Sequence, residues 1–117
     1  MAVDEGLAER VGDCLKGRHG VSQKRMFGGL CFMHRGHMLC GIDNRGRLMV
    51  RIGPDQYEKA LGMTHAGPMD FTGRPLKGMI YVEPAGFRTK RAMMKWIAMG
   101  LKFTGSLPPR PDKQGRG

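Results

Sequence analysis

Long apolar runs, acidic residues and cysteines are all scarce in this sequence. No apolar run approaches the roughly 18–20 residues that a helix needs to cross a bilayer, which argues against a membrane protein. The first thirteen residues carry four acids and no apolar segment of the secretory kind, so export is not expected. Only three cysteines occur, Cys14, Cys31 and Cys40. An odd and sparse count favours free thiols in a reducing compartment, and we therefore expect a cytoplasmic protein.

The shortage of acidic residues leaves a strongly basic chain. Twenty Lys and Arg face ten Asp and Glu, which gives a net charge of +10. Four of the ten acids lie in the first thirteen residues, so the basic excess of the remaining chain is larger still. Such an excess favours nucleic acid or another polyanion as a partner. The alternative is a charged surface that only aids solubility.

The 117 residues are enough for one domain. We assign residues 1–105 to this domain and residues 106–117 to a flexible basic tail, because the segment SLPPRPDKQGRG has little apolar content. Hydrophobic periodicity predicts the order αβββαββα, an α+β fold with a mainly antiparallel sheet and helices mostly on one face. The expected elements are a helix at 3–16, strands near 25–33, 37–43 and 47–52, a helix at 54–61, strands at 69–71 and 78–82 around a turn at 73–75, and a helix at 88–103.

Alternation along the three consecutive strands assigns apolar residues to both faces of the sheet. The main core face is expected to hold Phe27, Cys31, Met33, Met38, Cys40, Ile42, Leu48, Val50 and Ile52. The second face would carry Leu30, Phe32, Leu39 and Met49. A sheet that is apolar on both faces needs a cover on each, either a helix or another subunit. This second face is therefore a candidate interaction face, for a homodimer or for another protein.

Four local strings in order resemble one known family. They are Arg25-Met26-Phe27-Gly28-Gly29, then Leu48 to Pro54 followed by Tyr57, then Met69 to Gly78 (MDFTGRPLKG), and Tyr81-Val82-Glu83-Pro84, with Leu107-Pro108-Pro109 closing the match. The chain thereby resembles the TfoX N-terminal domain family from about residue 24 to residue 109. The resemblance implies the α+β fold of that domain, without the C-terminal domain of the longer TfoX and Sxy proteins. Those proteins regulate natural competence, and the family has no established catalytic residues to carry over. We expect no metal and no cofactor in this chain.

The spacing of Cys31, His34, His37 and Cys40 is superficially that of a zinc site. If Arg35-Gly36 is a two-residue turn, His34 lies opposite His37 and Cys31 opposite Cys40. Residues three apart on a strand point to opposite faces, so the four side chains would not converge on one ion. The two cysteines could form a reversible disulfide or, in a reducing cell, pack as buried thiols.

The last predicted helix carries a set of cations on one side. On a helical wheel they share a narrow sector away from the apolar arc: Arg88, Arg91, Lys95 and Lys102. Such a sector can contact phosphates, although no recognition motif is present, so binding would be to the backbone without sequence preference. A solvated helix face is the alternative.

No pattern in the sequence joins a nucleophile to a base, so we expect no enzyme. The sequence therefore predicts a regulatory or protein-interaction module. Weak binding of nucleic acid through the last helix is the first alternative, and a small enzyme is the second.

Overall fold

The computed structural model describes residues 4–26, 28–70 and 75–109. Within them lie the helices α1 (Glu5–Leu15), α2 (Pro54–Leu61) and α3 (Lys90–Gly105), and a 3₁₀ turn at Pro84–Phe87. The strands are β1 (Val21–Met26), β2 (Gly29–His34), β3 (His37–Ile42), β4 (Leu48–Arg51), β5 (Ala66–Asp70) and β6 (Pro75–Val82). Residues 73 and 74 of the expected turn, and residues 110–117 of the expected tail, lie outside the described residues.

The strands form one antiparallel sheet in the order β1-β2-β3-β4-β6-β5. The predicted α+β class and the succession of helix, strands, helix, two strands and helix are confirmed. The predicted strand at residues 25–33 covers only the end of β1 and most of β2, which are separate strands that pair with each other. Gly28 lies between them at φ 73°, a left-handed conformation that favours glycine and allows the chain to reverse there.

The first and last helices begin at the residues that their capping side chains select. Asp4 accepts a hydrogen bond of 3.1 Å from the backbone N–H of Leu7, and Thr89 accepts one of 3.0 Å from that of Ala92. The apolar residues predicted for α1 are buried, as helical spacing requires: Leu7, Val11 and Leu15. Both helices therefore follow directly from local sequence signals.

Helix α3 packs closely on the centre of the sheet because of one glycine. A Cβ atom at Gly100 would lie 2.9 Å from Leu39 Cδ1 and 3.0 Å from Val50 Cγ1. Distances this short mean that a side chain there would push the helix away from β3 and β4. Gly100 thus sets how deeply the middle of α3 lies on the sheet.

The sheet has a helix-covered face and a methionine face. All three helices contribute their buried residues to the helix-covered face, whose strand residues include Phe32, Leu39, Cys40, Ile42, Leu48, Val50, Ile80 and Val82. The methionine face consists of buried Cys31, Met49, Met69 and Met79, with half-buried Met33, Met38 and Tyr81 packed against them. The expectation that the helices lie mostly on one face is confirmed by this division.

The candidate interaction face predicted from alternation is wrong as a set. Phe32 and Leu39 are fully buried in the helix-covered core, and Leu30 packs against it. Met49 alone of the four lies on the opposite face, where it is also fully buried. The four side chains therefore cannot form one exposed surface.

A β-bulge in β3 explains this error. The two-residue turn Arg35-Gly36 forms as predicted, with His34 opposite His37, but the register shifts between Phe32 and Met33. An extra residue in one strand reverses the alternation beyond it. Cys40 consequently lies opposite Phe32, and Cys31 lies opposite Gly41.

The bulge also separates the two cysteines that simple alternation would pair. Cys31 belongs to the methionine face and Cys40 to the helix-covered core, and both are free, fully buried thiols. The expected disulfide register is therefore wrong, and the interpretation as packed thiols agrees with their burial.

Candidate nucleic-acid interface

The basic row of α3 consists of Arg91, Lys95 and Lys102 within the helix and of Arg88, which lies just before the N-cap residue Thr89. The helix begins at Lys90 and not at residue 88 as predicted. The structure exposes all four side chains, while the opposite side of the helix buries Met93, Trp96, Ile97, Gly100 and Thr104. Across residues 4–26, 28–70 and 75–109, the ion pair present joins Arg47 to Asp43, and none of the four cations has a hydrogen-bonding or charged partner. Their positive charge is therefore fully available to a ligand.

The N-terminal part of this helix is fixed by a buried aromatic side chain. Trp96 is 4% exposed, and its Nε1–H donates a hydrogen bond of 2.9 Å to the carbonyl of Gly86 in the 3₁₀ turn. A Cβ atom at Gly86 would lie 2.7 Å from Val82 Cγ1 and 2.9 Å from His65 Cβ, so only glycine fits there without a shift. The first half of the basic row thus projects from a closely packed support.

The C-terminal part is held by the turn between β2 and β3. His34 Nδ1 shares a hydrogen bond of 2.8 Å with the buried hydroxyl of Thr104, and Arg35 donates one of 3.2 Å to the carbonyl of Gly105. Just beyond the helix, His37 Nε2 lies 2.8 Å from the carbonyl oxygen of Pro108. The two histidines of the apparent zinc pattern therefore bind the end of α3 and the segment after it. Within the described part of the chain, no three His, Cys, Asp or Glu side chains are grouped closely enough to hold a metal ion.

Helix α1 lies beside α3 and carries the opposite charge. The exposed acids of α1 and its N-cap are Asp4, Glu5, Glu9 and Asp13. Arg10 joins α1 to the 3₁₀ turn before α3, because it hydrogen-bonds the carbonyl of Phe87 and its guanidinium lies 5.7 Å from the centre of that ring. A polyanion that approached α3 would be attracted by the basic row and repelled by α1, which favours one docking direction.

A cleft of about 410 Å³ opens next to the basic row, between the end of α2, the 3₁₀ turn and α3. Its polar lining includes Thr64, His65 and Lys95, and its apolar lining includes Met63, Ala92 and Trp96. His65 has φ 75°, an uncommon value for a residue other than glycine. The sequence does not predict this cleft, because no local signal indicates that the loop around His65 meets α3.

The thiols have the opposite character from that of a catalytic cysteine. Burial raises the pKa of Cys31 to about 11 and also raises the pKa of Cys40. The pKa of Cys14 is raised as well, chiefly by burial, although Lys90 and Arg10 act in the other direction. Reactive cysteines need a lowered pKa, so these thiols are poor nucleophiles near neutral pH.

Comparison with known proteins decides the family. The sequence model of the TfoX N-terminal domain family matches residues 13–104, which is most of the 117-residue chain. The chain belongs to the TfoX N-terminal domain family. No curated protein and no solved structure matches it in the corresponding comparisons.

Membership of the TfoX N-terminal domain family supports a competence-regulator-like domain. The matched residues include the whole sheet and most of α3, so the basic row and the cleft both lie within the family domain. The family is not known for an enzymatic activity. In the described residues, no helix is long and apolar enough to cross a membrane.

Proposed function

We propose that this protein is a non-catalytic regulatory module that binds the phosphate backbone of nucleic acid through the basic row of α3. The observation that supports this most strongly is the exposure of all four cations without a partner in the described structure. At about 1.5 Å per residue, Arg91 and Lys102 are about 16 Å apart along the helix. Duplex DNA carries one negative charge per roughly 1.7 Å of its axis, so a row of this length faces several phosphates.

The proposed contact predicts a specific dependence on salt. Each neutralised phosphate contributes a slope of about −0.9 to the plot of log affinity against log salt. Four contacts therefore give a slope near −3.6, and affinity falls by roughly a hundredfold between about 50 and 200 mM salt. The binding would not depend on base sequence, because a row of this kind reads phosphates and not base edges.

The test is fluorescence anisotropy of a labelled duplex titrated with the wild-type protein and with the double variant Arg91→Ala/Lys95→Ala. We expect the double variant to bind more weakly and its salt slope to be less steep by about two. The matched control is Arg45→Ala/Lys59→Ala, which removes one Arg and one Lys from exposed positions outside α3. Equal weakening in both variants would show attraction by net charge alone. No binding of the wild-type protein at low salt would overturn the proposal.

Protein interaction through the methionine face is the second candidate function. The buried side chains of the three helices all belong to the other face, and Met33, Met38 and Tyr81 remain partly exposed on this one. Methionine-rich surfaces adapt well to a partner, and a second copy of the chain is the occupant that we consider. Its net charge of +10 opposes self-association, so this candidate ranks second. A comparison of the oligomeric states of the wild-type protein and Met38→Glu tests this second candidate.

A further inference from the structure

We propose that the cleft beside the basic row accepts one unpaired nucleotide, so that the protein prefers single-stranded to duplex nucleic acid. This inference rests on the proposed function, because the phosphate row would bring the strand to the cleft. The observation that leads to it is that Lys95 belongs to both features. Its side chain is one of the four exposed cations of the row, and it also lines the cleft.

The lining of the cleft suits a nucleotide better than a purely apolar or purely charged ligand. Met63, Ala92 and Trp96 line the apolar part of the cleft, and His65 is exposed at the same site. Histidine is one of the side chains on which unstacked bases stack. Lys95 provides a cation for the phosphate of the same nucleotide. The volume of about 410 Å³ lies within the usual range for small-ligand sites, about 300–1,000 Å³.

The walls of the cleft are held in place by backbone hydrogen bonds. The N–H of Glu83 donates to the carbonyl of His65 at 2.9 Å, and the N–H of Gly86 donates to the carbonyl of Glu83 at 2.7 Å. The N–H of Ala66 likewise donates to the carbonyl of Met63 at 3.2 Å. The loop after α2 and the 3₁₀ turn are therefore tied together, and the cleft is formed before any ligand binds. A preformed site avoids the entropy cost of ordering a loop on binding.

The preference for single strands follows because a base must leave its stack before it can occupy the cleft. A base in a duplex is paired and stacked, and extruding it costs free energy. An unpaired base can leave the strand axis without that cost and occupy the cleft, while its neighbours in the strand keep their phosphates on the row. Stacking of one base on an aromatic side chain is expected to contribute about tenfold in affinity, which corresponds to about 1.4 kcal/mol.

The experiment compares a labelled short oligothymidylate with a labelled duplex of the same length by anisotropy at one salt concentration. Two variants address the cleft without removing a cation of the row: His65→Asn, since Asn tolerates the left-handed region, and Ala92→Phe, which fills the cleft from α3. We expect about tenfold tighter binding of the single strand by the wild-type protein and loss of that preference in both variants. Duplex binding should stay unchanged. The control is His19→Asn, a change at an exposed histidine outside the cleft lining.

Competition with free thymidine monophosphate separates two sources of the same chemistry. If thymidine monophosphate displaces the oligonucleotide from the wild-type protein and from His19→Asn, a free nucleotide is sufficient to occupy the cleft. If it displaces none, the nucleotide must be part of a strand. Equal affinity for single strand and duplex in the wild-type protein would overturn the cleft proposal and leave phosphate binding intact. A preference that survives in both His65→Asn and Ala92→Phe would also overturn it. If the wild-type protein bound neither the single strand nor the duplex, the proposed function itself would be overturned.

Discussion

The two faces of the sheet are both apolar, but they are closed in different ways. The helix-covered face is closed by aliphatic and aromatic side chains from three helices that cross it. The methionine face is built from flexible thioether side chains, four of its seven members being fully buried or nearly so. Branched and aromatic side chains define a unique packing, whereas methionine fills irregular space and tolerates change. The same sheet therefore has a rigid side, which positions α3, and an adaptable side.

At the edge of the methionine face, the carboxylate of Asp43 makes hydrogen bonds and an ion pair with the turn before β4. Asp43 is 6% exposed, and its Oδ1 accepts hydrogen bonds from the backbone N–H groups of Arg45 and Arg47 at 2.9 and 2.8 Å. Its Oδ2 lies 2.9 Å from Arg47 Nε, and the guanidinium of Arg47 lies 3.7 Å from the centre of the Tyr81 ring. The carboxylate thus fixes both the turn before β4 and the arginine that covers Tyr81. On the methionine face, a single stacked side chain therefore supplies part of the cover that helices supply on the other face.

The largest expected effect on stability comes from placing a carboxylate on the helix-covered face. Phe32→Glu puts an unpaired charge in the helix-covered core, where the native side chain is 1% exposed. Such a burial costs several kcal/mol, a large part of the roughly 5–15 kcal/mol that stabilises a typical domain. We expect Phe32→Glu to be unfolded at room temperature by circular dichroism.

Met38→Glu is the matched change on the methionine face, because Met38 is already partly exposed. We expect this variant to fold and to lose less than about 1.5 kcal/mol, since its carboxylate can stay in water. Sedimentation equilibrium of the same sample tests the second candidate function: a wild-type dimer that becomes a monomer would support it, and a monomeric wild-type protein would exclude a homodimer. A folded Phe32→Glu would contradict the contrast between the faces.

A smaller effect is expected from changing the shape of a buried methionine. Met49 is fully buried in the methionine face. Met49→Leu keeps the volume and should cost less than about 1.5 kcal/mol, whereas Met49→Ala leaves a cavity and should cost about 2–5 kcal/mol. Urea denaturation measures both. If Met49→Leu proved as costly as Met49→Ala, the face would be as rigid as the helix-covered one, and the comparison would fail.

Much of the fold could be predicted because its signals are local. Helical spacing identified α1 and the basic row of α3, and the turn residues Arg35-Gly36 identified the register next to the turn. These features depend on neighbours within a few residues. The boundary between β1 and β2 was missed, because the prediction placed one continuous strand near residues 25–33.

The bulge in β3 and the cleft could not be predicted, because they depend on contacts between residues that are distant in the sequence. The bulge at Leu39 cannot be read from alternation, since an apolar residue at every position of Met38 to Cys40 fits either face. In the structure Leu39 lies beside Gly100 of α3, a residue distant in the sequence. The cleft arises in the same way, from a loop near residue 64 that meets a helix near residue 95. The basic row was predictable, and its relation to the cleft was not.

The smallest expected effect lies at the edge of the helix-covered face, where His34 bonds to Thr104. Burial lowers the pKa of His34 below its ordinary value of 6.5, and the nearby charges of Arg35, Arg18 and His37 lower it further. The unfolded chain therefore binds a proton at a pH where the folded protein does not. As pH falls through 6.5 toward the lowered pKa, protonation favours the unfolded state, and stability decreases.

Urea denaturation at about pH 7.5 and at about pH 5 measures this dependence, which should appear as lower stability at the acidic value. His34→Gln retains a group that can hydrogen-bond Thr104 but cannot titrate, so it should lose part of the decrease. His19→Gln, a change at an exposed position of the loop before β1, is the control and should keep the full decrease. An unchanged pH dependence in His34→Gln would mean that the bond to α3 is not sensitive to protonation. The helix-covered face would then owe its closure to apolar packing alone, and the contrast between the two faces would rest on side-chain shape and not on charge.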